Sequence, residues 1–328
     1  MRRIAAIGRM SVAACAAAPA IRRQYRQRGL TLAEMIIALA AGLGVVLIAT
    51  RLLVLGNGAY AAQMDGAALD DGGRYALALI GHAVRQAGHV DPAQLDFGGS
   101  AAAPPARLAG LDARSLARTT PDIADPLPDA VNGSDVLALR FPGAGAMPDG
   151  DGSVLNCAGF ALADGEEGWS IFYVARNAEG EPELRCKYRG ATSWSADAVV
   201  GGVDGFQVLY GIDTDTPSDG VPNRYVNAAA IAALDAALGL GADDDALRRQ
   251  THWKRVASVR VGLLLHGARA TRTEPGNAGF DLFGAAYAAA TGGTDPGASL
   301  QEAGMPLALR QRERRLFTMT VAVPSPAP

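Results

Sequence analysis

The chain is poor in lysine, in aromatic residues and in short catalytic motifs, and each shortage removes a class of function. Lys187 and Lys254 are the only lysines among 30 basic residues, so the positive charge is almost wholly arginine. Aromatic residues occupy 6% of the 328 positions, part of a composition biased toward Ala, Gly and Arg that reads as genome bias rather than function. No H-E-x-x-H, G-x-S-x-G or G-x-x-x-x-G-K-[ST] pattern occurs, and the four histidines, His82, His89, His252 and His266, read as isolated. His82 and His89, seven apart, would share a helix face as a solvated stripe. The reading is a protein without enzymatic activity. There are three cysteines, Cys15, Cys157 and Cys186, and no histidine pair at ligand spacing, so a structural zinc site is not expected.

What is present is apolar: 49% of residues, enough to rule out a disordered chain and to build one or two packed domains. The formal charge of −3 hides an asymmetry. The first 29 residues hold seven arginines and no acid; without them, 23 basic residues face 33 acidic ones, a net −10. So acidic a body is a poor match for nucleic acid, whose binding rests on neutralising phosphates.

Residues 30–55 form a 26-residue run in which only Glu34 and Arg51 are charged. As a helix it would reach about 39 Å at ~1.5 Å per residue, enough to cross a bilayer. The arginines on its N-terminal flank predict a cytoplasmic N-terminus and an external body, with Arg51 reaching the far interface. A secretory signal would have a shorter apolar core and a small-residue cleavage site. Val12-Ala13-Ala14-Cys15 imitates a lipoprotein box, but Arg9 breaks the apolar stretch before it, so lipidation at Cys15 is not expected. Glu34 is the anomaly, since a carboxylate at that depth costs roughly 2.5 to 3.5 kcal/mol. A cut between Gly29 and Leu30 would create an α-amino group about one helical turn away, on this chain or a neighbour, to compensate it.

Arg28-Gly29-Leu30-Thr31-Leu32-Ala33-Glu34-Met35 resembles the processing signal of type IV prepilins and type II secretion pseudopilins, matching at Gly29, Thr31, Leu32 and Glu34, with Leu30 where Phe is usual. The resemblance implies that prepilin peptidase, a membrane aspartyl peptidase, removes a leader of residues 1–29 and methylates the new amine of Leu30. A start at Met10 would shorten the leader. It further implies a transmembrane and assembly helix over 30–55, a periplasmic helical stem over 56–90 and a β-rich head over 91–328. An uncut single-span anchor with a stray glutamate is the plain alternative.

Past the span, Tyr60, Met64, Ala67, Tyr75, Leu79 and Val84 recur at helical spacing to about Gly88, with Gly66, Gly72 and Gly73 predicting a place to fray, a source of extensibility in the stem, or a break between two helices. Residues 91–131 read as loop. Strands are predicted over 135–141, 169–176, 183–189, 206–210, 256–265 and 316–323, a helix over 228–251 with its start near Asp243 to Asp245, and loop again over 268–308. The fold class is α+β: a long N-terminal helix packed on an antiparallel sheet of about six strands.

Further motifs resemble minor pilins of the PilW type. They are Gly73 to Leu77, Arg85 to Gly88, Asp135 to Leu137, Val203 to Asp213, Val259 to Leu264 and Arg314 to Thr318, in that order. The family's Arg-Asn ending is replaced by Val323 to Pro328. By this resemblance the protein is a non-enzymatic subunit that initiates or caps a pilus. Its partners are other minor pilins, the major pilin, a tip adhesin and prepilin peptidase. It passes from the inner membrane, head in the periplasm, to an extracellular fibre serving adhesion or twitching. A minor pseudopilin of type II secretion, or a single-span periplasmic adhesin or binding module using loops 91–131 and 268–308, are the alternatives. Loss of the leader removes Cys15 and leaves Cys157 and Cys186, an even count that favours one disulfide in an exported domain over two buried thiols. Asp213, Asp215 and Asp219, with Asn223, imitate a calcium loop, as the Asp-rich loop of PilW-like sequences also implies. The EF-hand pattern fails, since Pro217 and Ser218 stand where a ligand and the turn glycine belong and Arg224 where the closing glutamate belongs. A solvated Asp turn is the alternative, and no other cofactor is expected.

Overall fold

A computed structural model describes residues 29–88, 104–148, 150–240, 244–291 and 293–324. The predicted leader up to residue 28, Cys15, His89, Asp243 and the end of the Pro-rich tail lie outside these. The chain divides into two compact units, Met1–Gly56 and Asn57–Pro328.

One helix, α1 (Leu32–Ala87), runs through the apolar segment and on into the second unit. Within the first unit every large apolar side chain from Leu30 to Leu55 is exposed, around the whole circumference. It is the one helix among the described residues long and apolar enough to cross a membrane.

In the second unit, α1 changes character: Leu69, Ala76, Ile80, Val84 and Ala87 are buried. They join a core built with two antiparallel sheets. The first sheet is ordered β1 (Leu108–Leu111), β2 (Val136–Pro142), β3 (Glu167–Arg176), β4 (Pro182–Arg189), β5 (Trp194–Gly201). The second sheet has β6 (Val203–Ile212), β7 (Arg224–Val226), β8 (Val256–Ala270) and β11 (Arg312–Ala322), in the order β11-β8-β6-β7. A two-stranded ribbon of β9 (Gly279–Asp281) and β10 (Ser299–Gln301) lies outside both. Every residue of β6 is buried, so this strand has protein on both faces. A backbone bond from Asp135 N–H to the Phe206 carbonyl, 2.8 Å, ties the start of β2 to β6.

The six predicted strands are all present, but the described residues hold eleven. The stretch read as loop before residue 131 contributes β1, and Leu116 and the Ser115 hydroxyl, which donates to the Val174 carbonyl at 2.7 Å, are buried. The single helix predicted over 228–251 is two, α2 (Ala228–Ala236) and α3 (Asp244–Gln250). The carboxylate of Asp112 accepts from the first amides of α2, Ala228 at 2.9 Å and Ala229 at 2.7 Å, and Asn227 caps it from the side chain. Gly239 just past α2 takes φ +65°, which turns the chain out of the helix. The late loop carries β9, β10 and the short helices α4 (Ala285–Thr291) and α5 (Leu307–Arg310).

The glycines of α1 have a different basis from the fraying or break their composition predicts. Gly66, Gly73 and Gly81 face Arg315, Phe317 and Met319, alternate residues on one face of β11. At Gly73 an added Cβ would fall 2.5 Å from the Phe317 ring, so the close approach of helix to strand requires a glycine. Asp65 Oδ1 accepts from the Ala268 amide at 3.0 Å and Asp70 pairs with Arg315, fastening the same helix to β8 and β11. From Asp65 to Ala87 one side of the helix is thus packed into the head. Gly73→Val is expected to lower stability by about 1 to 3 kcal/mol through overpacking, despite improving helix propensity, as measured by chemical denaturation.

Candidate functional site

The N-terminal region is the first candidate. Gly29 and Leu30 precede the helix in irregular backbone, and Thr31 and Glu34 close a capping box around its first turn. The Thr31 amide and hydroxyl donate to Glu34 Oε2 at 2.9 and 3.0 Å, and the Glu34 amide donates to Thr31 Oγ1 at 3.3 Å. Glu34 therefore satisfies two donors at the end of its own helix, a role that sequence reasoning missed although the Thr-x-x-Glu spacing was visible. The carboxylate is fixed within three residues of Thr31, adjacent to Leu30, where a cut after Gly29 would place a new amine. Nine large apolar side chains follow without a charge until Arg51, and the Thr50 hydroxyl turns inward to the Val46 and Leu47 carbonyls rather than exposing a polar group.

Cys157 and Cys186 are bonded, with Cα atoms 6.0 Å apart. Cys186 lies on β4, Cys157 in the connection between β2 and β3, and both sulfur-bearing residues are buried in the main core.

Asp213, Asp215 and Asp219 meet at the end of β6, each bringing an oxygen within 4.8 Å of the others. An all-oxygen set suits a hard cation, but the oxygens already serve the turn. Asp213 accepts from the Asp215 amide at 2.9 Å, from the Ser218 hydroxyl and from the Gly220 amide at 2.7 Å. Asp219 accepts from the Val221 amide at 2.8 Å, and Asp215 from Asn223 Nδ2 at 3.1 Å. The donor set thus fits a self-contained turn better than a cation cradle, and millimolar calcium is expected to leave the melting temperature of the protein unchanged. The Ser218 hydroxyl, with the Asp215 and Gly220 amides, holds the Asp213 carboxyl down to about 2. A carboxyl lowered in the folded state stabilises it above the unfolded value, near 4, and that stabilisation is lost as pH falls toward 2. Amide exchange at Asp215 and Gly220 is expected to accelerate across this window.

Two histidines that read as isolated have partners. His252 Nδ1 lies 2.7 Å from Asp235 Oδ1, joining α2 to the turn before β8. His266 on β8 is buried, its Nδ1 2.9 Å from Asp204 Oδ1 and its Nε2 2.9 Å from Arg312 Nη1 and 3.3 Å from Glu181 Oε2. Asp204 in turn holds Arg314 Nε at 2.7 Å, and Arg314 Nη1 lies 3.1 Å from Glu302 Oε1. These residues come from five separate segments, so no spacing in the sequence announces them. None is paired with a hydroxyl or thiol nucleophile, and the group binds the second sheet to the loop that ends at Glu302.

The long apolar helix and the antiparallel sheets behind it define the class: a chain with one helix fit to span a membrane, joined to an α+β head. Residues 171–325 match the family described as Type IV Pilus-assembly protein W, PilW. The resemblance read from the motifs is shown there: Val203 to Asp213, Val259 to Leu264 and Arg314 to Thr318 fall inside the matched segment, while Gly73 to Leu77, Arg85 to Gly88 and Asp135 to Leu137 precede it. No curated protein matches the chain. Among solved structures, the type IV-like pilin TTHA1219 from Thermus thermophilus is similar at 16% identity and a TM-score of 0.29, over 66% of this chain and 85% of that one. The family match supports a structural role in type IV pilus assembly, in contact with other pilus components.

Proposed function

We propose that the protein is a minor pilin that initiates or caps a type IV pilus. In this reading the arginine-rich leader stays in the cytoplasm and residues 30–55 cross the inner membrane. Prepilin peptidase cuts after Gly29 and methylates Leu30, and the helix then leaves the bilayer for a bundle of like helices shared with the major pilin and other minor pilins. The single observation that carries it is the fully exposed apolar surface from Leu30 to Leu55, opening on the Thr31–Glu34 box directly after Gly29. At ~25 cal/mol per Å² such a surface binds strongly but without direction, and Glu34 opposite a neighbour's amine supplies register. The breadth of the head, with loops over both sheets, favours a rare position at or near the tip, beside a tip adhesin, over dense packing along the fibre.

Glu34→Ala is the test. The variant is expected to fold and enter the membrane but to be missing from sheared fibres; normal incorporation would remove the register role. Loss of twitching with protein secretion intact separates this reading from a type II secretion pseudopilin.

A further inference from the structure

On the face of the first sheet opposite the main core, beside a second apolar cluster that includes Leu116, Ile171 and Tyr173 and packs on Trp169 and Trp194, four adjacent strands carry Arg140, Trp169, Arg189 and Trp194 as one transverse row. Arg140 is registered opposite Trp169 and Arg189 opposite Trp194, while Ile171 opposite Lys187 brings Trp169 toward Arg189. Two of the chain's three tryptophans are thereby spent at one place. They border an open cleft of about 480 Å³, closed on one side by Pro121 and Asp122 and on the other by the turn from Gly190 to Ser193.

The rings are held in place before any ligand arrives. Trp169 and Trp194 meet edge to face, centroids 5.6 Å apart. Trp169 Nε1 donates to Glu167 Oε2 at 3.2 Å, and Arg140, which pairs with Glu167, lies 4.6 Å from the Trp169 ring centroid. Behind Trp194 the fully buried Lys187 places its ammonium 5.6 Å from the ring centroid and donates to the Asp122 carbonyl at 2.8 Å and to Thr120 Oγ1 at 3.2 Å. Rings fixed in this way lose little freedom on binding. Arg140 is neutralised by Glu167, whereas Arg189 is exposed and has no carboxylate partner among the described residues.

We infer that this cleft binds a saccharide bearing an acidic group, with the indoles against the apolar face of a pyranose ring and Arg189 on its carboxylate or sulfate. The combination selects that chemistry: indole rings present a flat apolar surface, Thr192, Ser193 and Asp122 offer donors and acceptors for hydroxyls, and one unpaired guanidinium takes one anion. Single-stranded nucleic acid also stacks on indoles, but its affinity needs several phosphate contacts on a basic surface, and this body carries a net −10 outside its first 29 residues. The inference goes beyond the pilin reading and stands whether or not the chain enters a fibre.

The experiment uses the full chain in a sugar-free zwitterionic detergent, titrated by calorimetry with hyaluronan, heparin-derived and sialylated oligosaccharides, neutral cellohexaose and an oligothymidylate. At least one acidic saccharide is expected to bind, with cellohexaose about tenfold weaker. Trp194→Ala is expected to weaken binding about tenfold, and Arg189→Gln to abolish the preference for the acidic sugar while leaving cellohexaose unchanged. Arg189 is exposed, so this second variant keeps the test open if Trp194→Ala fails to fold by thermal melting. Absence of binding by every acidic saccharide at millimolar concentration, equal binding by Arg189→Gln, or tighter binding of the oligothymidylate would overturn it.

Discussion

Arg314→Leu is expected to destabilise the head by about 3 to 5 kcal/mol, the usual penalty for removing one partner of a buried ion pair. The Arg314 side chain is wholly buried, as is that of Glu302, and Asp204 is nearly so. Removing the guanidinium leaves Asp204 with His266 alone and Glu302 with Arg272 at 2.7 Å and the Ala278 amide at 2.9 Å. Glu302 retains compensation; the Asp204 carboxylate loses its 2.7 Å bond to a permanent cation. Set against a total stability of ~5 to 15 kcal/mol, the loss removes much of the margin. At ~2 to 4 °C per kcal/mol for a domain of this size, it predicts a melting temperature lower by roughly 10 °C. Asp204→Asn in the same chain is expected to restore part of the loss, because it neutralises the charge that Arg314 leaves behind. A single variant melting with the wild type would show that the buried network is energetically idle.

Breaking the Cys157–Cys186 bond is expected to cost about 3 to 4 kcal/mol, the chain-entropy value for a loop of this length. The bond closes 29 residues, the last part of the connection between β2 and β3 together with β3 itself, onto β4. That connection has backbone bonds of its own, such as the Ala144 amide to the Leu162 carbonyl at 2.9 Å, and is tied outward by the Cys157 amide to Ser170 Oγ at 3.0 Å and Gln86 Nε2 to the Leu155 carbonyl at 2.9 Å. A Cys157→Ala/Cys186→Ala chain should therefore melt about 10 °C lower, with amide exchange rising first between residues 143 and 166. Equal melting with and without the bond would mean that the core alone orders this segment.

How much of this was legible depends on the range of the interaction responsible. β8 and β2 announce themselves because Val259, Val261, Leu263 and Leu265 alternate and Val136 to Leu139 is continuously apolar, so local pattern and burial agree. β5 does not, because Ser195, Asp197 and Gly201 dilute an edge strand with an exposed face, and β1 is only four residues long. The start of α2 is fixed by Asp112, more than a hundred residues earlier, whereas its end is turned locally by Gly239. Gly66 and Gly73 were visible as flaws in a helix, but their reason lies on β11, some 250 positions away. The capping box at Thr31 and Glu34 was fully local, yet the cost of a carboxylate in lipid drew attention to a missing amine instead. The Trp169 and Trp194 cleft depends on sheet register and has no linear signature.

In the proposed function, the exposed apolar helix and Glu34 would acquire an assembly role only once a cut after Gly29 frees an amine at Leu30. Intact mass and N-terminal sequencing of the protein recovered from its native membrane test this most directly. The expected chain begins at N-methylated Leu30; a chain still carrying its arginine-rich first 29 residues would contradict the assembly mechanism and leave a membrane-anchored head without a place in a fibre.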